Sequence, residues 1–310
     1  MRCRGNMAAS GQAPVLPVSV IIPAHNRREM VGRTLSSVAR QTAVPAEVIV
    51  VDDASRDGTA EAAERLGARV IRHDRNSGTA AARNSGLARA ARPWVALLDS
   101  DDEWLPNHLQ TLWDLRDGHV LVAGAARIEG AGRRRLNYHG PPERDGLRLD
   151  SPASLLFPGN VIPASGAMLR RDLALEVGGF RQPDGVEDLD LWVRMIERGS
   201  AFIASAVTVV YHVHATQTTK AVAHMKQGHL VVAERFAGRP WWSRGLVNRW
   251  QAWAAWNDVR AALGRRSARD AARAAARIAG HPRSWLGIAQ GWAFRARLRR
   301  RGAELMRDGG

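Results

Sequence analysis

The run Trp94-Val95-Ala96-Leu97-Leu98 leads directly into Asp99-Ser100-Asp101-Asp102, so an apolar strand ends in three carboxylates within four residues. Like charges this close raise one another's pKa unless a cation lies between them. An oxygen-only donor set suits a hard divalent ion, Mg²⁺ or Mn²⁺. The chemistry implied is a metal ion holding a phosphate. An acidic turn that merely caps a helix beginning near Pro106 would use the same residue types.

These residues need elements to position them. Short β-branched runs at 18–23, 47–52, 69–72 and 94–98 alternate with helical spacing at 30–38, 60–66 and 79–90. The alternation predicts βαβ units and an α/β fold built on a mainly parallel sheet covered on both faces. Ligands of such sheets lie beyond the carboxyl ends of the strands. Pro23-Ala24-His25-Asn26, Asp52-Asp53 and the 99–102 cluster all fall there. Further strands are predicted at 120–128 and 167–170, with a solvent-facing loop through 132–135 and 140–143. A helix at 189–198 is entered through Glu187-Asp188. After Thr219 the pattern is wholly helical, and Leu246, Trp250, Trp253, Trp256 and Leu263 outline one apolar face.

Composition narrows the classes. At 310 residues with 45% hydrophobic content the chain supports a sizeable core. Its single cysteine, Cys3, excludes an intramolecular disulfide or a cysteine zinc site and suits a reducing, cytoplasmic location. No apolar run approaches the ~18 residues of a membrane span. The net charge is +15, and residues 240–310 carry 15 Arg, no Lys and four acids, a balance of +11. That tail suits peripheral contact with an anionic membrane on its inner face better than nucleic acid, although Ala/Arg-rich segments also arise from helix propensity alone. A non-catalytic protein acting through this basic tail is one competing reading.

No glycine-rich turn follows the first strand and no GxxxxGK[ST] loop occurs, so hydride transfer and P-loop chemistry are disfavoured. Asp53 is then placed to accept a hydrogen bond from a base edge, such as N3–H of uracil, with the acidic cluster taking a metal diphosphate. Asp99-x-Asp101 after an apolar strand also resembles the nucleophile and acid of haloacid-dehalogenase-like phosphohydrolases. That chemistry wants Thr or Val four residues after the nucleophile, where Glu103 stands here.

Six ordered blocks carry a more specific resemblance. They are Ser19-Val20-Ile21-Ile22-Pro23-Ala24-His25-Asn26, Val51-Asp52-Asp53-Ala54-Ser55-Arg56-Asp57-Gly58-Thr59, Asn76-Ser77-Gly78-Thr79 running on to Arg83-Asn84-Ser85-Gly86, Leu98-Asp99-Ser100-Asp101-Asp102-Glu103-Trp104, Val177-Gly178-Gly179-Phe180, and Glu187-Asp188-Leu189-Asp190-Leu191-Trp192-Val193-Arg194. Together they resemble family 2 glycosyltransferases with the GT-A, Rossmann-like fold. The resemblance implies a domain over 18–219, after a flexible 1–17 and before a basic helical extension at 220–310.

The same resemblance implies the roles of particular residues. Pro23, Ala24, His25, Asn26 and Asp53 would cradle the nucleotide. Asp99, with Ser100, would meet the ribose, and Arg83 would lie near the nucleotide. Asp101 would bind Mn²⁺ or Mg²⁺, and His214 could approach that metal or the diphosphate. Inverting sugar transfer needs one carboxylate to take the acceptor hydroxyl's proton and a metal to carry charge on the leaving diphosphate. Asp188 is the candidate base, with Glu187 and Asp190 as rivals. Ser165, Gly166, Glu187 and Trp192 are expected on the acceptor side. The donor expected is a nucleotide-diphosphate sugar, UDP first, and the acceptor a hydroxyl of a cell-surface glycan or glycolipid. Processive members carry membrane helices and a Gln-x-x-Arg-Trp motif. Neither is found here, so transfer of one or a few sugars is expected.

Overall fold

The computed structural model describes residues 13–130, 138–157, 159–181, 185–214, 222–264, 266–279 and 284–308. Its first half alternates strand and helix: β1 (Val15–Ala24), α1 (Arg28–Ala39), β2 (Val44–Asp52), α2 (Thr59–Arg65), β3 (Arg69–Arg72), α3 (Thr79–Arg89) and β4 (Trp94–Leu97). The middle contributes β5 (Glu103–Trp104), α4 (His108–Leu115), β6 (Leu121–Glu129), β7 (Tyr138–His139), β8 (Leu147–Leu149), α5 (Ala153–Leu156), β9 (Ala167–Arg170), α6 (Arg171–Glu176), α7 (Glu187–Ile196) and β10 (Ala201–His212). Four helices follow: α8 (Val222–Arg235), α9 (Arg244–Gly264), α10 (Ala268–Ala279) and α11 (Ser284–Asp308).

The strands form one sheet in the order β3-β2-β1-β4-β9-β6-β10-β5, with β7 beside β6 and β8 beside β10. The long ladders, β1 with β2 and β6 with β10, are parallel; β9 joins the two halves through short antiparallel pairings with β4 and β6. The sheet is therefore mixed. Side chains of β1 alternate between two buried faces: Ile21 belongs to the core under α3, while Val20 and Ile22 belong to the core on the other face. This explains why the strand reads as one continuous apolar run. On the first face α3 lies so close to β1 that a Cβ on Gly86 would stand 2.5 Å from Ile21.

Two expectations need correction. The segment 1–17 is not wholly loose, because β1 begins at Val15, Leu16 is buried and Val44 N donates to Pro14 O; residues 1–12 lie outside the described residues. Of the expected solvent-facing loop, 132–135 lies outside the described residues, whereas Gly140 and Pro141 are buried. The cause is α11, which passes over this region and pairs Arg297 with Glu143 and Glu304 with Arg144. The tail also shares the main core: Phe236, Leu246, Val247 and Trp253 cluster with Leu169, Leu191 and Trp192.

A Gly86→Ala change should force α3 off β1 and cost about 1–3 kcal/mol, the range typical of overpacking, read as a lowered urea midpoint.

Candidate active site

The carboxyl ends of β1, β2 and β3 stand side by side, since Ala24 pairs with Asp52 and Asp52 with Arg72. The loops leaving them enclose a cleft of about 650 Å³ lined by His25, Asn26, Ala54, Ser55, Arg56 and residues 73–76. Asn26 (φ +51°) and Ala54 (φ +60°) take left-handed backbone at its wall. Conformations of this kind cost of order 1–3 kcal/mol in a non-glycine residue and are held by surrounding structure. Asn26 is so held: its amide donates to Ser55 Oγ and its Oδ1 accepts from Arg56 N. His25 Nδ1 donates to Asp53 O at 2.7 Å, which leaves Nε2 to accept from Asn26 Nδ2.

Several expected nucleotide contacts sit differently. Pro23 and Ala24 are buried inside β1, so neither side chain meets the cleft. Asp53 is 4% exposed. Its Oδ1 pairs with His73 Nδ1 at 2.7 Å, and its two oxygens accept the amides of Ser77 and Gly78 at the entry to α3. The carboxylate is consumed in tethering α3 and does not present itself to a base. Ser100 is likewise buried.

Behind the cleft lies a charged network. Arg83, on α3 and 3% exposed, donates through Nη2 to Asp99 Oδ1 and through Nη1 to Glu187 Oε1, both at 2.6 Å. Burial works against its charge, but Asp99, Glu187 and Asp188 more than offset this and raise its pKa. Asp101 Oδ2 lies 2.8 Å from His214 Nε2 and 3.7 Å from Arg27 Nε. The structure thus brings His214, distant in sequence, to the second carboxylate of the cluster. Asp102 is fully buried, and burial together with Asp99 and Asp101 raises its pKa well above the usual range. It accepts from Ser165 Oγ at 2.5 Å and from His212 N at 3.1 Å, tying the loop to β10.

The acceptor-side expectations shift accordingly. Ser165 is 2% exposed, accepts from Asp99 N and donates to Asp102, so it supports the loop from below, with Gly166 buried beside it. Trp192 is fully buried in the core, because its side of α7 faces the sheet. Glu187 is engaged by Arg83. Asp190, fully buried, pairs with Arg194 and with Arg235 of α8. That leaves Asp188. It makes no ion pair among the described residues, accepts from Leu189 N at 2.7 Å, and is pushed up to about 7 by burial and by Glu187, against the pull of Arg83.

Sequence reasoning did not single out Arg27, His73 or Arg75. Arg27 and His73 are placed by their distances to Asp101 and Asp53, and only the position of residues 73–76 beyond a third strand could have signalled the cleft wall.

The family model for glycosyl transferase family 2 matches residues 19–178. TuaG of Bacillus subtilis (strain 168), described as a teichuronic acid biosynthesis glycosyltransferase, is 43% identical over 193 residues, 59% of this chain and 73% of its own. Among solved structures, Staphylococcus aureus TarS 1–349 in complex with UDP-GlcNAc superposes with a TM-score of 0.60 at 18% identity, over 76% of this chain and 70% of that one. The mannosyltransferase PcManGT from Pyrobaculum calidifontis, in complex with GDP-Man and Mn²⁺, gives 0.56 at 21% identity over 93% and 86%. The fold is that of GT-A glycosyltransferases.

Replacing Arg83 by Met should leave Glu187 buried without its partner and cost about 3–5 kcal/mol in denaturant unfolding. Adding Glu187→Gln should recover part of that loss.

Proposed function

The chain belongs to glycosyl transferase family 2, and from that premise we propose an inverting, metal-assisted glycosyltransferase that moves one sugar from a nucleotide-diphosphate sugar to an acceptor hydroxyl. The observation that carries the reading is Asp188. Of the three acids opening α7 it alone lacks a cation partner among the described residues, and its pKa near 7 matches what a general base needs at neutral pH. It also feels the charges of Arg83 and Asp99, so it belongs to the same network as the donor side.

In the proposed reaction the acceptor oxygen forms its bond to the anomeric carbon as the bond from that carbon to the diphosphate oxygen breaks. The acceptor's proton passes to Asp188 and the nucleoside diphosphate leaves. With Asp53 engaged in holding α3, the base falls to His25, Asn26 and the loop residues of the cleft. UDP is the first nucleotide to test, as the TarS neighbour was solved with UDP-GlcNAc. Asp99, held by Arg83, is the residue proposed to meet the ribose.

The residues fit a divalent cation. Asp101 and His214 offer oxygen and nitrogen donors on one spot, and Mg²⁺ sites commonly use one or two protein ligands with substrate phosphates and water. Among the described residues no group of three or more His, Cys, Asp or Glu side chains is arranged to hold a metal ion. When bound, the ion would carry charge developing on the leaving diphosphate. The proposed acceptor is a glycan or glycolipid in cell-surface polysaccharide synthesis, by likeness to TuaG. The proposed location is the cytoplasm, which a single cysteine suits. The catalytic unit proposed ends near residue 219, and α8 to α11 form its extension.

The competing readings lose ground. A phosphohydrolase would need Asp99 as a free nucleophile, but Arg83 holds its Oδ1. A purely non-catalytic role does not accord with membership of the family.

Asp188→Asn should keep donor affinity and lower turnover by about 10²–10⁴-fold. In the wild type, turnover should rise with pH through about 7, where Asp188 gives up its proton. The same raised pKa means that the stability Asp188 contributes when protonated is lost as pH rises through about 7, so the Asn variant should melt higher above that pH. A gain of about 2–4 °C is expected there and none at pH 3. Asp101→Ala should abolish the Mn²⁺ dependence of donor binding, measured by calorimetry with UDP-sugars; equal wild-type affinity with and without Mn²⁺ would overturn the metal assignment.

A further inference from the structure

The helix α11 presents an exposed face that the transfer chemistry leaves unused. Trp285 is 70% exposed, Leu286 52% and Trp292 43%. At 100° per residue, Trp285, Trp292 and Arg299 align within roughly 40° of one another, and Leu286 and Arg300 flank them. Arg299 and Arg300 are exposed as well. The outward face is thus aromatic in its first half and cationic in its second, and Arg260 of α9 adds a guanidinium 5.0 Å from the Trp292 ring.

The rotation of α11 is fixed from the other side. Gly287 and Gly291 lie against α9 so closely that a Cβ on Gly287 would stand 2.7 Å from Arg249 O, and one on Gly291 would run into the Trp253 ring. Further along, Leu298 is buried against Ala125 with Phe294 and Leu305. With these residues inward, the two tryptophans cannot turn into the core without dismantling the α9–α11 contact.

We propose that this face of α11 seats the protein on an anionic lipid bilayer, with Trp285, Leu286 and Trp292 entering the headgroup layer and Arg299 and Arg300 lying on lipid phosphates. Charge argues for this occupant: residues 240–310 carry +11 and the whole chain +15, which is complementary to an acidic leaflet and repels a second copy. Tryptophan favours the membrane–water interface, and basic residues close to an acidic leaflet contribute about 1 kcal/mol each. The inference does not rest on the donor, metal or base assignments. It would bring the enzyme to the surface where a lipid-linked acceptor resides.

The test is flotation of the full chain with vesicles of phosphatidylcholine alone, or with about 30 mol % phosphatidylglycerol, an acidic lipid of the kind that attracts basic segments. Wild type should float with the acidic vesicles at low salt and much less with the neutral ones. W285S/L286S/W292S and, separately, R299Q/R300Q should each weaken binding about tenfold or more at unchanged melting temperature. Because the arginine pair is solvent-exposed, that variant gives an answer even if the triple variant misfolds. The proposal is overturned if wild type shows no preference for acidic vesicles, or if either variant folds and binds as wild type does. It is equally overturned if wild type is a dimer in solution that the triple variant converts to monomer, since a second copy then covers the face.

Discussion

A buried guanidinium must be surrounded by charge of the opposite sign or it destabilises the fold that buries it, and Arg83 meets this condition by drawing together two distant segments. Asp99 comes from the loop after β4 and Glu187 from the start of α7. The neighbours of Arg83 on α3 extend the same function. Asn84 holds the backbone N and O of Phe180, and Ser85 Oγ meets His73 Nε2. Gly86 allows the helix to lie against Ile21. Asp53 completes the arrangement by accepting amides at the helix entry. Three successive side chains, the glycine after them and the carboxylate at the helix entry thus make α3 the part against which the cleft, the carboxylate loop and α7 are all aligned.

The C-terminal helices take part in this arrangement. Arg235 of α8 reaches the fully buried Asp190, and Trp241 Nε1 donates to Glu197 Oε1 at the far end of α7. The core under the sheet runs without a break into α8 and α9. The tail therefore supports α7 from behind while its last helix shows a different surface to solvent. Its Ala/Arg-rich composition combines two demands: alanines and glycines permit close helix packing, and arginines keep the outward faces charged.

The first four strands and three helices were legible in the sequence because βαβ units bury both faces of each strand, leaving unbroken β-branched runs such as Ile49-Val50-Val51. The runs of β3 and β9 match to the residue. The strand β10 was not read: Ala-Phe-Ile-Ala-Ser-Ala-Val-Thr alternates weakly, and a register shift between Ile203 and Val207 interrupts its pairing with β6. In the site, residue types pointed to the carboxylate loop and to α7, but not to who partners whom. Asp53 looked available because its three partners, His73, Ser77 and Gly78, lie 20 or more residues away. Ser165 was placed on the acceptor side by position and Trp192 by the resemblance of its block, whereas their burial is decided by tertiary packing, which neither encodes.

The three acids at the start of α7 show how environment assigns roles that residue type leaves open. Glu187, Asp188 and Asp190 all lie in the first turn, where the helix dipole favours each anion about equally. Glu187 meets a cation from the first half of the chain, Arg83, and Asp190 meets cations from its own helix and from the tail, Arg194 and Arg235. Both carboxylates are thereby engaged in ion pairs that fix their position. Asp188, between them and half-buried, lacks a direct ion pair among the described residues, and Glu187 beside it supplies repulsion. Its raised pKa comes first from burial and then from the charge of Glu187, against the pull of Arg83. Divergent environments for adjacent titratable groups are the pattern by which acid and base assignments are set in enzyme sites, and here the divergence depends on contacts from three separate parts of the chain.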